Sequence, residues 1–195
     1  MNLHMLMRTA VAAALLTCAS TLAPAAAQAE PTSRPNIVVI MADDQDDMGS
    51  TAEMPQLRKL QANGVTFANS FVNFSLCCPS RASFLTGQAA HNSTIQGNKL
   101  PNGGWEKLKE TEGNTLGVWL QAAGYRTALM GKLMNGYGEE GEALRRHVMP
   151  GWSEWDVVSD PQGPYRYFGY TLNENGKLTK YGHTAYEYQT DVIAA

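Results

Sequence analysis

Asp43 and Asp44 are adjacent carboxylates that close an apolar run. Two acids side by side repel unless a cation lies between them, and hard oxygen ligands suit Ca²⁺ or Mg²⁺. A solvated acidic turn or a helix cap explains the same pair without a metal. An EF-hand is excluded: Asp44, Asp46 and Gly49 fit its loop loosely, but Met48 and Pro55 stand where oxygen ligands are needed. Further on, Cys77 lies just before Pro79, a good opening residue for a helix. Free backbone N–H groups and the positive end of the helix dipole would gather near Cys77 and attract an anion. Arg81 adds a fixed cation one turn on. A buried structural cysteine is the other reading, better suited to Cys78 than to Cys77. Lys132 is the third feature, a cation directly after a short apolar stretch.

These residues need elements to hold them. Ile37 to Met41 is a short β-branched run without alternation, which reads as a buried parallel strand ending at Asp43 and Asp44. Met54 to Asn63 reads as a helix, with Pro55 in its first turn and Gly64 as its stop. Val65 to Ala68 is a candidate second strand. Pro79 starts a helix that runs to Thr86 and stops at Gly87. Thr115 to Ala123 is amphipathic, with Leu116, Trp119 and Leu120 on one side and Gly124 after it. Tyr125 to Met130 reads as a strand ending in Gly131 and Lys132. Beyond Gly136 the signals are turns and short aromatic stretches. Asn173 to Gly176 predicts a hairpin between Tyr165–Tyr170 and Leu178–Tyr181. Asp191 to Ala195 reads as helix without a cap, so the chain is expected to be cut within an element. Alternating strands and helices predict an α/β sheet, and ligands of such sheets bind beyond the carboxyl ends of the strands. Asp43, Asp44 and Lys132 are expected on one such edge.

The 195 residues are 44% hydrophobic and 17% charged, with a net charge of −3. This is a globular composition, and without a basic run it gives no nucleic-acid footprint. The one long apolar stretch is N-terminal. Arg8, the apolar segment Thr9 to Leu22 and the small-x-small pattern Ala27-Gln28-Ala29 before Glu30 predict a signal peptide over residues 1–29. Export to a secreted or periplasmic location follows, and no membrane span is expected in residues 30–195. Cys18 raises a lipoprotein alternative, disfavoured by Thr17 before it. Cys77 and Cys78 are too close for ordinary disulfide geometry. His183 reads as a loop residue. Trp152, Trp155, Tyr165, Tyr167 and Phe168 are read as core packing or a sugar-stacking platform. Asn73-Phe74-Ser75 and Asn92-Ser93-Thr94 are glycosylation sequons only in a host that glycosylates.

The run from Cys77 to Gly87 resembles the sulfatase signature C-x-P-S-R-x-x-x-L-T-G at every fixed position. Pro35-Asn36-Ile37 through Asp43-Asp44-Gln45 is similar to the family's opening strand and metal-binding pair. Gly124-Tyr125-Arg126-Thr127 to Gly131-Lys132 is similar to its G-Y-x-T…G-K segment. Within the family the chain is most similar to the N-acetylglucosamine-6-sulfatase branch and the related extracellular heparan endosulfatases. That likeness rests on Cys77-Cys78, His91-Asn92, Lys132-Leu133-Met134-Asn135 and Gly151-Trp152-Ser153-Glu154-Trp155.

The resemblance implies an alkaline-phosphatase-like α/β fold with a mostly parallel sheet flanked by helices, incomplete here, and assigns residues 30–195 to the N-terminal part of a sulfatase catalytic domain. It implies that Cys77 is converted by a formylglycine-generating enzyme to Cα-formylglycine, the nucleophile in its hydrated form. Asp43, Asp44 and residue 77 would ligate Ca²⁺, Mg²⁺ being the other hard cation. Arg81 and Lys132 would stabilise the sulfuryl oxygens. Many sulfatases carry histidine where Met134 stands, so that assistance would be absent or come from Asn135, which with Lys132 would bind substrate. The family's remaining metal ligands, a further lysine and a leaving-group histidine lie in segments beyond residue 195. The implied substrate is a sulfated sugar or aryl sulfate, with the 6-sulfate of N-acetylglucosamine in glycosaminoglycans suggested by the branch. The alternatives are a phosphate or phosphonate ester hydrolase using the same modified residue, and a chain without catalytic activity.

Overall fold

The computed structural model of the chain describes residues 34–46, 48–139, 141–184 and 187–194. The signal peptide expected over 1–29 lies outside them. The chain divides into two compact units, one up to Met41 and one from Ala42 onward. Of the first, residues 34–41 are described. They form no strand, and their apolar side chains are exposed, Ile40 at 88%. The predicted strand Ile37–Met41 is therefore not formed. β-Propensity alone does not make a strand, because the ladder needs a neighbour to pair with. Val65 to Ala68 fails in the same way and is likewise exposed.

The second unit opens with a 3₁₀ turn at Ser50–Glu53, then α1 (Pro55–Asn63), which has proline at its start and Gly64 after its end. Helix α2 (Cys77–Thr86) follows, then α3 (Ala90–Ser93), α4 (Trp105–Lys109) and α5 (Leu116–Ala122). Strand β1 (Ala128–Gly131) leads through α6 (Glu142–Arg145) to β2 (Glu154–Val158). Then come β3 (Thr171–Glu174), β4 (Lys177–Lys180) and α7 (Gln189–Ala194). The sheet order is β1-β2-β3-β4. β1 and β2 are parallel, with Leu129 opposite Trp155, and α6 lies in the crossover between them. β2–β3 and β3–β4 are antiparallel. The fold class is thus α/β, with the parallel character confined among the described strands to β1–β2.

The predicted hairpin forms, shifted along the chain. Its turn is Asn175-Gly176, both with positive φ (49° and 92°), as a two-residue primed turn requires. The ladder therefore begins at Thr171, and Tyr165–Tyr170 is not its first strand. The buried face of α5 centres on Gly117 rather than on Leu116, Trp119 and Leu120. Trp152 packs so closely there that a Cβ on Gly117 would meet the indole at 2.6 Å.

The core joins Cys78, Ala82 and Leu85 of α2 to Trp105 and Leu108 of α4 and to Trp155 and Val157 of β2. Tyr137 sits between two indoles, 5.1 Å from the Trp105 ring and 5.8 Å from the Trp155 ring, both edge-on. Its hydroxyl donates to the His147 carbonyl at 2.5 Å and accepts from Trp155 Nε1 and Asn173 Nδ2, each at 2.9 Å. One donor and two lone pairs are all used. Burial holds its phenol above the ordinary range. Tyr137→Phe would leave the Trp155 donor without its partner in the core and is expected to cost about 2–3 kcal/mol. Urea titration of both proteins, with unchanged m-values, checks this.

Candidate active site and metal centre

Helix α2 sets the site. Leu76 is its extended N-cap residue, and Cys77 is the first helical residue, two before the predicted start at Pro79. Pro79 still falls within the first turn, where its missing N–H is no loss. No local side chain caps the helix. Instead the side-chain oxygen of Asn98 accepts from the Cys78 N–H at 2.9 Å. At the other end Gly87 adopts the left-handed conformation (φ 66°) and its N–H returns to the Ser83 carbonyl at 2.9 Å. Cys78, Pro79, Ala82, Leu85 and Thr86 are buried. That face locks the helix in place and leaves Cys77 half-buried at the opening of the site. Desolvation pushes the Cys78 thiol up to about 11.

Asp43 Oδ1 lies 3.1 Å from Arg81 Nη2, and Asp43 Oδ2 lies 2.8 Å from Lys132 Nζ. Arg81 Nη1 also donates to the Lys132 carbonyl at 2.5 Å, joining α2 to the segment after β1. Arg81 and Lys132 side chains are 12% and 10% exposed. Asp44 takes a left-handed backbone (φ 54°), which aspartate tolerates better than most residues. Its Oδ1 is 4.0 Å from Cys77 Sγ. The donor atoms of Asp43, Asp44 and Cys77 all lie within 4.8 Å of one another. The structure thus brings Asp43, Asp44, Cys77, Arg81 and Lys132 to one place.

Asn135 lies alongside, but its amide is committed. Its Nδ2 donates to Tyr165 Oη at 2.6 Å, and its Oδ1 receives the Cys78 thiol at 3.6 Å. Met134 is buried in the core, so its side chain offers nothing to the site. Of the five aromatics grouped by sequence, Trp155 is buried and Trp152 packs against the core, whereas Tyr165, Tyr167 and Phe168 are exposed. His183 is an exposed loop residue. Sequence reasoning missed Asn98, which carries no motif, and left Tyr165 among the other aromatics.

Partial burial raises the Asp43 carboxyl, but the hydrogen bond and charge of Lys132, with those of Arg81, outweigh it and hold the group below its usual 3.8. For Lys132, burial acts downward and Asp43 outweighs it, so the ammonium lies above its usual 10.5. The carboxylate therefore stabilises the fold above pH 3.8, and this is lost as pH falls through the depressed value. The ammonium contributes fully below pH 10.5, and this is lost as pH rises through the elevated value. Between those limits the contribution is flat. In chelator-treated protein, the difference in Tm between wild type and Asp43→Asn should be constant between those limits, and shrink as pH falls through the depressed carboxyl value or rises through the elevated ammonium value.

The donor set fits a hard cation with one condition. Asp43 and Asp44 supply carboxylate oxygens, as Ca²⁺ requires, but the Cys77 thiol is a soft ligand. An oxygen at residue 77 removes that mismatch. Asp43 can still take part, because each carboxylate oxygen has a second lone pair beyond the one given to Arg81 or Lys132. Two cations, two acids and a helix start offer groups that can meet an anion and a hard cation in one place.

The family model for Sulfatase matches residues 35–192, and the chain belongs to the sulfatase family. It is 38% identical over 173 residues to human (Homo sapiens) N-acetylglucosamine-6-sulfatase, covering 84% of this chain and 30% of that protein. It is 37% identical over 165 residues to a putative extracellular sulfatase Sulf-1 homologue of Caenorhabditis elegans, covering 83% of this chain and 22% of that protein. The chain thus spans less than a third of the length of these relatives. Among solved structures, BT4656 in complex with its substrate D-glucosamine-2-N,6-O-disulfate aligns over 71% of this chain and 24% of that one, with 24% identity and a TM-score of 0.48.

Proposed function

We propose that this chain is the N-terminal part of a secreted or periplasmic sulfatase catalytic domain, preceded by a signal peptide over residues 1–29. The proposed reaction is hydrolysis of sulfate monoesters, with glucosamine 6-sulfates of glycosaminoglycans as the substrate class. The observation that carries this reading is the meeting of Cys77 with Asp43, Asp44, Arg81 and Lys132 at one helix start. The glucosamine assignment draws support from the relatives' names.

In this reading Cys77 is matured to formylglycine by a dedicated oxidising enzyme, giving residue 77 an oxygen nucleophile in place of a thiol. Asp43, Asp44 and that oxygen would hold Ca²⁺, which would supply Lewis-acid chemistry and neutralise charge on the sulfate. Lys132 and Arg81 donate to the sulfuryl oxygens as charge shifts onto them during transfer. Both are already oriented by Asp43, so little reorganisation is needed when the ester enters. The Cys78 N–H is already taken by Asn98, and the buried face of α2 keeps the helix start fixed.

The test uses the full-length protein, coexpressed with the maturation enzyme, and two chromogenic esters. Turnover of 4-nitrophenyl sulfate should exceed that of 4-nitrophenyl phosphate. Treatment with a chelator should lower sulfate turnover by about 10²-fold or more, and Ca²⁺ should restore it. Faster turnover of the phosphate would point instead to a phosphate ester hydrolase, and absence of both activities would overturn the reading.

A further inference from the structure

Tyr165 stands on the loop between β2 and β3, far in sequence from every other residue of the site. Its ring carries the Lys132 ammonium, with Nζ 4.8 Å from the ring centroid. That is within cation–π range. Its phenol oxygen accepts the 2.6 Å bond from Asn135 Nδ2. Contacts therefore run from Cys78 through Asn135, Tyr165, Lys132 and Asp43 to Arg81, which returns to the helix that bears Cys78. Cys77 adjoins it at Asp43, their ligand atoms lying within 4.8 Å.

Core packing does not explain this residue. Tyr165 remains 52% exposed, while its neighbours Tyr167 and Phe168 pack on Tyr188. Lys132 has a flexible four-carbon stem, and a single carboxylate contact leaves it free to swing about that point. A ring against the ammonium removes that freedom. The same phenol fixes the Asn135 amide, whose backbone carbonyl accepts from Trp105 N–H at 2.9 Å.

We infer that Tyr165 is a positioning residue that holds the Lys132 ammonium and the Asn135 amide at the sulfuryl site, an inference that rests on the sulfatase reading above. Tyr165→Phe keeps the ring and loses the bond to Asn135. Tyr165→Leu loses both.

In the full-length protein, Tyr165→Leu should lower kcat/KM for 4-nitrophenyl sulfate by about 10–100-fold, mostly through kcat, because a misplaced donor weakens the transition state more than binding. Tyr165→Phe should lose less. In a Lys132→Ala background the leucine substitution should cost no more than Tyr165→Phe costs in the wild type, since only the bond to Asn135 is left to lose. Thermal melting should match the wild type. A second readout does not need turnover. Acetylation of Lys132 by acetic anhydride at fixed pH, followed by peptide mass spectrometry, should be about 3–10-fold faster in Tyr165→Leu and unchanged in Tyr165→Phe.

If the wild type is active and Tyr165→Leu matches it in kcat/KM, the inference is wrong while the sulfatase reading stands. Full additivity with Lys132→Ala also overturns it. If the wild type turns over no ester, the sulfatase reading fails, and equal labelling of Lys132 in wild type and Tyr165→Leu would then refute the contact.

Discussion

Cys77→Ala should abolish sulfate ester hydrolysis by the full-length protein, with kcat falling by at least about 10⁴-fold. The reason is the position of the residue. Cys77 is the first residue of α2, half-buried, with its Sγ 4.0 Å from Asp44 Oδ1 and within 4.8 Å of an Asp43 carboxylate oxygen. Removing its functional group takes away the proposed nucleophile and one ligand of the ion together. The fold should survive, because the helix is anchored by the face that carries Cys78, Ala82 and Leu85. Circular dichroism, and Tm in chelator-treated protein, should therefore match the wild type. Cys77→Ser separates two ideas. Serine restores an oxygen ligand but not an aldehyde hydrate, so metal binding should return and multiple turnover should not. The tryptic peptide of the active wild type should be lighter by about 18 Da than its thiol form, as conversion of thiol to aldehyde requires. An active protein whose Cys77 peptide carries an intact thiol would remove the basis of the mechanism.

Arg81→Ala should be nearly as severe, lowering kcat/KM by about 10³-fold. Its guanidinium does two jobs through two nitrogens. Nη2 meets Asp43, and Nη1 meets the Lys132 carbonyl. Deletion removes the proposed donor for the sulfuryl oxygens and the tie between α2 and the segment after β1. Arg81→Lys should recover little, because a single ammonium cannot span both partners. Stability should fall by about 1–3 kcal/mol, between the values for an exposed and a fully buried pair, since Asp43 remains partly open to water. Denaturant titration and steady-state kinetics on the alanine and lysine variants check both statements.

The sequence made the site more legible than the fold. Asp43, Asp44, Cys77, Arg81 and Lys132 were singled out by residue type and spacing, and they meet in space. Such groups announce themselves because charges and thiols have few bland uses side by side. Ile37–Met41 misled because strand composition says nothing about a pairing partner. β2 is hard to read because Glu154-Trp155-Asp156-Val157-Val158 alternates over only four residues, and its place in the sheet comes from β1 and β3 on either side. The hairpin is legible from its turn but its first strand is not, since the aromatic stretch Tyr165–Tyr170 has more strand-like composition than Thr171–Glu174. Asn98 and Tyr165 could not be assigned roles, because their partners lie elsewhere along the chain. An asparagine that caps another segment's helix leaves no local signature.

Cys78 carries one consequence for how such a protein would endure. With its thiol held near 11, only about one molecule in 10⁴ presents sulfur anion at pH 7. Disulfide exchange proceeds through that anion and needs access to it, and Cys78 is fully buried. In an oxidising medium the folded chain should therefore resist scrambling and mixed-disulfide adducts at this position, while a locally opened helix would lose that immunity at once.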